Sequence, residues 1–170
     1  NINGLTYIRT TGPSPDSTTF SLLGLGLSPA ASNITVTPDA AFTASFEIYN
    51  PNVAGYTSAL FNIAYVGGAI TLAGFKVRLK SGLTTAAYSG NLTVTAPNTT
   101  PFVLMVTGNV TEVQFMTATG GTITTDGDYK IHSFTGSGTF AVTQESNYVP
   151  YTTVEYLVIA GGGGGIGSAQ

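Results

Sequence analysis

The chain has 170 residues, of which 8% are charged and 42% hydrophobic, with a formal net charge of −3 and no cysteine. Typical globular proteins carry about 25% charged residues, so the polar surface here has to be Thr, Ser, Asn and Gly. Disulfide scaffolds, zinc fingers and thiol catalysis are excluded together. The five cations, Arg9, Lys76, Arg78, Lys80 and Lys130, form no basic patch of the kind a nucleic-acid partner requires.

β-Branched residues dominate and helical spacing is almost absent, which points to pleated sheet. In chain order, the expected strands of the first half begin at Thr18–Leu23 and Asn33–Thr37, the latter with Ile34 and Val36 on one face. Ala44–Tyr49 follows, then Leu60–Tyr65, where Phe61, Ile63 and Tyr65 alternate with Asn62 and Ala64. Phe75–Lys80 is the cleanest, with Phe75, Val77 and Leu79 inward and Lys76, Arg78 and Lys80 outward. Leu92 and Val94 lie in the next strand, and Phe102–Val110 completes the set. Turn signals separate these runs: Pro13-Ser14-Pro15-Asp16, Ser28-Pro29, Asn50-Pro51-Asn52, Gly67-Gly68, Ser81-Gly82 and Ala96-Pro97-Asn98. The spacing predicts an all-β fold, with an immunoglobulin-like β-sandwich over residues 1–111.

A small glycine-rich-type β-domain is expected over 112–160. Its strands would be Val113–Met116, Thr122–Thr125, Tyr129–Phe134, Thr139–Thr143 and Val154–Ile159, with a hairpin at Asp126-Gly127-Asp128. The pattern from Asn109 to Val113 runs on without a linker, which predicts a rigid junction of the kind found in stalks. A core this thin needs help from the first domain, a neighbouring subunit or the tail. A Gly-rich tail over 161–170 opens with Gly161–Gly165. No apolar run of 18 residues is present, so no membrane span is expected. The absence of an apolar leader after Asn1 and the end within a Gly-rich stretch read as a mature or excised chain.

Constellations with chemical potential are sparse. His132 stands alone between Ile131 and Ser133 and reads as a polar strand residue. Asp126 and Asp128 are the candidate metal ligands, because a D-x-D pair can open a calcium loop. The further ligands of such a loop are missing, so a plain turn is the expectation. Glu47, Glu112, Glu145 and Glu155 are scattered, with no spacing that pairs them as a glycosidase requires. The glycine run follows a strand pattern but lacks the Lys-Ser/Thr of a phosphate loop. No catalytic residue and no cofactor is therefore expected.

Tyrosine is the better source of contacts, because it offers rigid area with a hydroxyl handle. Tyr49, Tyr56, Tyr65, Tyr148, Tyr151 and Tyr156 fall near turns or strand ends. The loop Glu145–Tyr151 is the expected contact surface, with Tyr148 and Tyr151, and Tyr156 beyond it. Asn-x-Thr sequons occur at Asn33, Asn91, Asn98 and Asn109, as a Thr-rich chain produces by chance.

Phe20-Ser21-Leu22, Asn33–Thr37, Phe75–Leu83, Tyr88–Leu92 and Val106–Val110 together resemble the immunoglobulin-like repeats of secreted surface proteins in Bacteroidota. Ala54–Ala59 departs from that pattern as an irregular insert. Gly120–Thr124, Tyr129–Phe134, Gly138-Thr139-Phe140 and Val154–Ala160 with its glycines resemble the glycine-rich domain of phage tail-fibre and bacterial surface proteins, over 117–165. Asp16-Ser17-Thr18 is similar to the short O-glycosylation motif of Bacteroidota, which would make Ser17 the acceptor.

The resemblances imply a non-enzymatic, extracellular module at a cell surface or on a virion: an adhesin or filament subunit, or alternatively a phage tail- or head-fibre component. A carbohydrate-binding accessory module of a secreted enzyme is a further alternative. The partners expected are other copies or neighbouring repeats, and a glycan or cell-surface receptor.

Overall fold

The computed structural model describes residues 1–161. It is all-β, and the chain divides into two compact units, Asn1–Val113 and Gln114–Gln170. The boundary lies two residues beyond the expected one.

In the first unit two sheets pack as a sandwich. One holds β1 (Ile2–Ile8), β9 (Phe102–Thr111), β8 (Ala86–Thr95), β3 (Ser32–Pro38) and β6 (Phe61–Tyr65), in that spatial order. The other holds β2 (Phe20–Gly24), β7 (Ile70–Leu79), β4 (Phe46–Asn50) and β5 (Gly55–Thr57). All named pairings in the unit are antiparallel except β1 with β9, which is parallel. Strand alternation decides the core. β7 buries Phe75, Val77 and Leu79, as the sequence predicts, and these meet Ile48, Ile63, Leu92, Val106 and Val110.

Three features of this unit lie outside the sequence reading. β1 was not anticipated; it buries Leu5 and Tyr7 against the core. The start of the expected strand Ala44–Tyr49 is instead the end of a helix, α1 (Ala40–Ser45), which carries the chain from the first sheet to the second. Asp39 caps it by accepting from Phe42 N at 2.7 Å, and Phe42 is fully buried. The Pro-rich turn 13–16 covers part of the β7 edge beyond β2. Ser14 Oγ accepts from Leu79 N at 2.9 Å and Ser17 Oγ from Val77 N at 3.0 Å. Pro13 and Pro15, which flank Ser14, cannot extend the ladder outward, which blunts this edge.

The chain passes from β6 in one sheet to β7 in the other through a tight turn at Gly67-Gly68, closed by an isolated Val66–Ala69 bridge; φ values of 69° and 70° suit a mirror-image turn.

The second unit contains β10 (Thr117–Thr119), β11 (Thr122–Asp126), β12 (Tyr129–Ser133) and β13 (Ala141–Gln144), with a 3₁₀ turn at Val149–Tyr151. They form two separate two-stranded sheets, β10 with β13 and β11 with β12. Two expectations are corrected here. Val113–Met116 and Val154–Ile159 form no strand. Apolar, β-branched composition supplies propensity, but a strand also needs a neighbour that pairs along its length. Val113–Met116 is held only at points, Gln114 by Asn147 and Phe115 O by Gln144, and Val154–Ile159 pairs with no strand among the described residues. The β11–β12 turn is confirmed, but it is built on Gly127-Asp128 with Asp126 paired to Tyr129; Gly127 has φ 56°. Of the tail, only Gly161 falls within the described residues.

Candidate contact surfaces

The two outer faces of the sandwich differ in chemistry because their strands differ in composition. On the four-stranded sheet, β4 turns Glu47 and Tyr49 outward beside Arg78 and Lys76 of β7, and Tyr49 also pairs with Tyr56 of β5. Arg78 Nε donates to Glu47 Oε1 at 2.6 Å, and its guanidinium carbon lies 3.6 Å from the Tyr56 ring centre. Lys76 Nζ lies 3.4 Å from Asp16 Oδ2 and 5.6 Å from the Tyr49 ring centre. The two tyrosine rings meet edge to face at 5.3 Å. The Tyr56 hydroxyl donates to the Asp16 carboxylate. Burial pushes Tyr56 up, and the hydrogen bond to negatively charged Asp16 adds to it, taking the phenol to about 12. Lys76 and Arg78 are matched by Asp16 and Glu47, while Lys80 bonds Thr43 O and Ser58 Oγ, so the face offers aromatic area and hydrogen-bonding groups with most of its charge paired.

The five-stranded sheet is the opposite. No Lys, Arg, Asp or Glu occurs in β1, β3, β6, β8 or β9. The face opposite the core presents residues such as Thr35, Thr37, Asn62, Thr93, Thr107 and Asn109. Thr35 Oγ1 donates to Asn62 Oδ1 at 2.8 Å, so part of the array is tied laterally. Charge returns only beyond the strand ends. At one end Glu112 accepts from Thr85 Oγ1 at 2.7 Å and Arg9 at 3.2 Å; the Thr85 bond first, then the Arg9 charge, hold its carboxyl low.

The sequence-selected tyrosines are only partly gathered. Tyr148 and Tyr151 meet edge to face at 5.3 Å, and Tyr151 also packs on Phe115 at 5.1 Å. Tyr156, 88% exposed, joins no ring contact among the described residues. Phe115 escaped the sequence reading because it sits in an apparent strand rather than a loop. The sequence places Tyr49 and Tyr56 near turns, yet their register with Lys76 and Arg78 depends on β5, which forms inside the irregular insert Ala54–Ala59. The outward cations of β7 were the available signal.

The remaining candidates are placed without a shared chemistry. Asp126 and Asp128 flank the tip of the β11–β12 hairpin, and no group of three His, Asp or Glu side chains gathers among the described residues. His132 Nδ1 lies 2.8 Å from Gly120 O, with its ring edge-on to Phe140 at 5.0 Å, so it ties strand to loop. The Ser17 hydroxyl accepts from Val77 N and donates to Thr18 O at 2.9 Å; a glycan there would replace the hydrogen of that second bond. A shallow depression over β1, β8 and β9 is lined by Thr6, Tyr88, Ser89, Thr107 and Asn109 among others, with no acid–base pair. No helix among the described residues is long and apolar enough to cross a membrane.

No family model matches the chain, and no curated protein is significantly similar to it.

Proposed function

We propose that the chain is a non-enzymatic, extracellular structural and adhesive module, a subunit or repeat of a secreted bacterial surface adhesin or filament. The observation that carries this reading is the charge-free five-stranded sheet, with its threonine and asparagine face. Charged side chains hold water tightly and resist burial, whereas hydroxyls and amides cost far less to desolvate once they bond again across an interface, and the methyls of threonine gain from burial. A broad face of that kind suits lasting contact with a neighbour or a surface. Antibodies raised against the purified chain should label the outside of intact cells of the source organism. Labelling of phage particles instead would move the same chemistry to a virion fibre, and labelling only after permeabilisation would refute an extracellular role.

A second reading, a carbohydrate-binding module attached to a secreted enzyme, is favoured by the Tyr49–Tyr56 pair set among hydrogen-bonding ions. A glycan array that retains the chain but not its Tyr49→Ala variant would select it.

A further inference from the structure

The described part of the second unit has no interior of its own. No described residue from Gln114 to Gly161 is buried. Two-stranded sheets are marginal in water and need a further strand or a covering layer. Among the described residues both β11 and β12 leave an edge open, and β12 exposes Tyr129 and Ile131 at 71% and 44%. Meanwhile Val154–Ile159 forms no strand, with Tyr156, Leu157, Val158 and Ile159 exposed by 88%, 83%, 80% and 83%. Those four side chains leave roughly 600 Å² in water, against about 800 Å² per partner in a standard stable interface. Apolar residues occupy both alternating faces of the segment, Tyr156 and Val158 on one and Leu157 and Ile159 on the other, as in a strand covered on two sides.

We infer that Val154–Ile159 is a donor strand that adds to the open edge of β12 in a second copy of this chain. Charge complementarity selects β12. Lys130 is the unit's only Lys or Arg, and neither it nor Glu155, the donor's single charge, forms an ion pair among the described residues. Setting Glu155 beside Lys130 puts Tyr156 and Val154 on the side of Tyr129 and Ile131, the exposed apolar side of β12. A second copy is the occupant because each chain carries one donor and one edge that matches its charge, so the exchange closes between two copies or passes from copy to copy along a filament. This inference rests on the reading of the chain as one unit of an assembly, and names the partner and the segment.

The test is sedimentation velocity of the full chain over a concentration series, with amide hydrogen exchange across 154–159. The expected result is reversible association, with exchange in the segment slowed at least about tenfold as association proceeds. Leu157→Asp should abolish association while the first unit melts unchanged. Glu155→Lys should weaken it, and pairing that change with Lys130→Glu should restore it. A chain that stays monomeric at the highest concentration reached overturns the inference. So does a Leu157→Asp variant that associates like the parent, or protection of the segment already present in the monomer. Surface labelling is independent of all these outcomes: a monomer found outside cells removes only the donor strand, and an associating chain found only inside cells removes only the extracellular reading.

Discussion

Replacing Gly90 with alanine should damage the first unit out of proportion to a single methyl. Gly90 lies in β8 directly beneath α1, and its backbone is not in the left-handed region, so alanine brings no dihedral strain. The obstacle is space. A Cβ there would fall 2.5 Å from Phe42 N, 2.6 Å from its Cα and 2.8 Å from its Cβ. The helix cannot retreat easily, because Asp39 Oδ1 holds Phe42 N at 2.7 Å while its Oδ2 accepts from both Asn91 N and Nδ2 at 3.0 Å. Asp39 N closes the clamp by donating to Asn91 O at 2.9 Å. Overpacking a core usually costs about 1–3 kcal/mol, and contact with backbone rather than a flexible side chain places this case near the top. The lower unfolded-state entropy of alanine returns about 0.4–1 kcal/mol. A net loss of about 2 kcal/mol corresponds to a fall in Tm of roughly 10 °C for a domain of this size. The assay is thermal unfolding followed by far-UV circular dichroism, with Gly55→Ala as control. That glycine also has an ordinary φ, and its nearest contact would be Val53 O at 3.8 Å. A Gly90→Ala protein that melts within about 2 °C of the parent would refute the close packing of α1 on β8.

Two further predictions concern ionisation. Burial around Asp39 raises its carboxyl, but the hydrogen bonds from Phe42 and Asn91 outweigh it and leave the pKa below its ordinary 3.8. Its contribution is therefore complete above about pH 4 and lost as pH falls through the folded value. Asp39→Ala should cost about 1–2 kcal/mol at neutral pH, and urea unfolding at descending pH should show the parent converging on the variant in acid. Tyr56, raised from 10.0 to about 12, works in the opposite direction: its contribution is full below pH 10 and disappears as pH climbs to about 12. Ultraviolet titration should show a phenol ionising near 12 that Tyr56→Phe removes; an unchanged curve would show that Tyr56 is not the raised phenol.

The sequence made the interior of the first unit legible because strand period and burial are the same fact there. Phe75, Val77 and Leu79 alternate with three cations, and only one face of such a strand can enter a core. It concealed α1, since Ala40–Ser45 is too short to show helical spacing, and its stability comes from Asp39 and a buried phenylalanine rather than propensity. It concealed β1 for a related reason: Gly4 (φ 76°) and a register shift between Ile2 and Leu5 break the alternation. In the second unit the opposite error arose. Val154–Ile159 has the composition of a strand, but pairing is a property of two segments, and one-dimensional pattern reports only one. The contact surfaces divided similarly. Tyr148 and Tyr151 lie three residues apart and were readable from the loop, whereas Tyr49, Tyr56, Lys76 and Arg78 converge only through the β5–β4–β7 register.

The parallel pairing of β1 with β9 has a mechanical consequence. β1 is the first strand of its unit and β9 the last, and they are matched from Ile2 beside Val106 to Ile8 beside Thr111. Tension applied through the two ends of the unit pulls β1 backward along its own axis and β9 forward. The hydrogen bonds between them then lie across the direction of sliding and share the force, so they must yield together rather than open one by one from an end. A module tethered at both sides would thus resist extension far better than its modest number of bonds suggests, and would give way abruptly once that single seam slips.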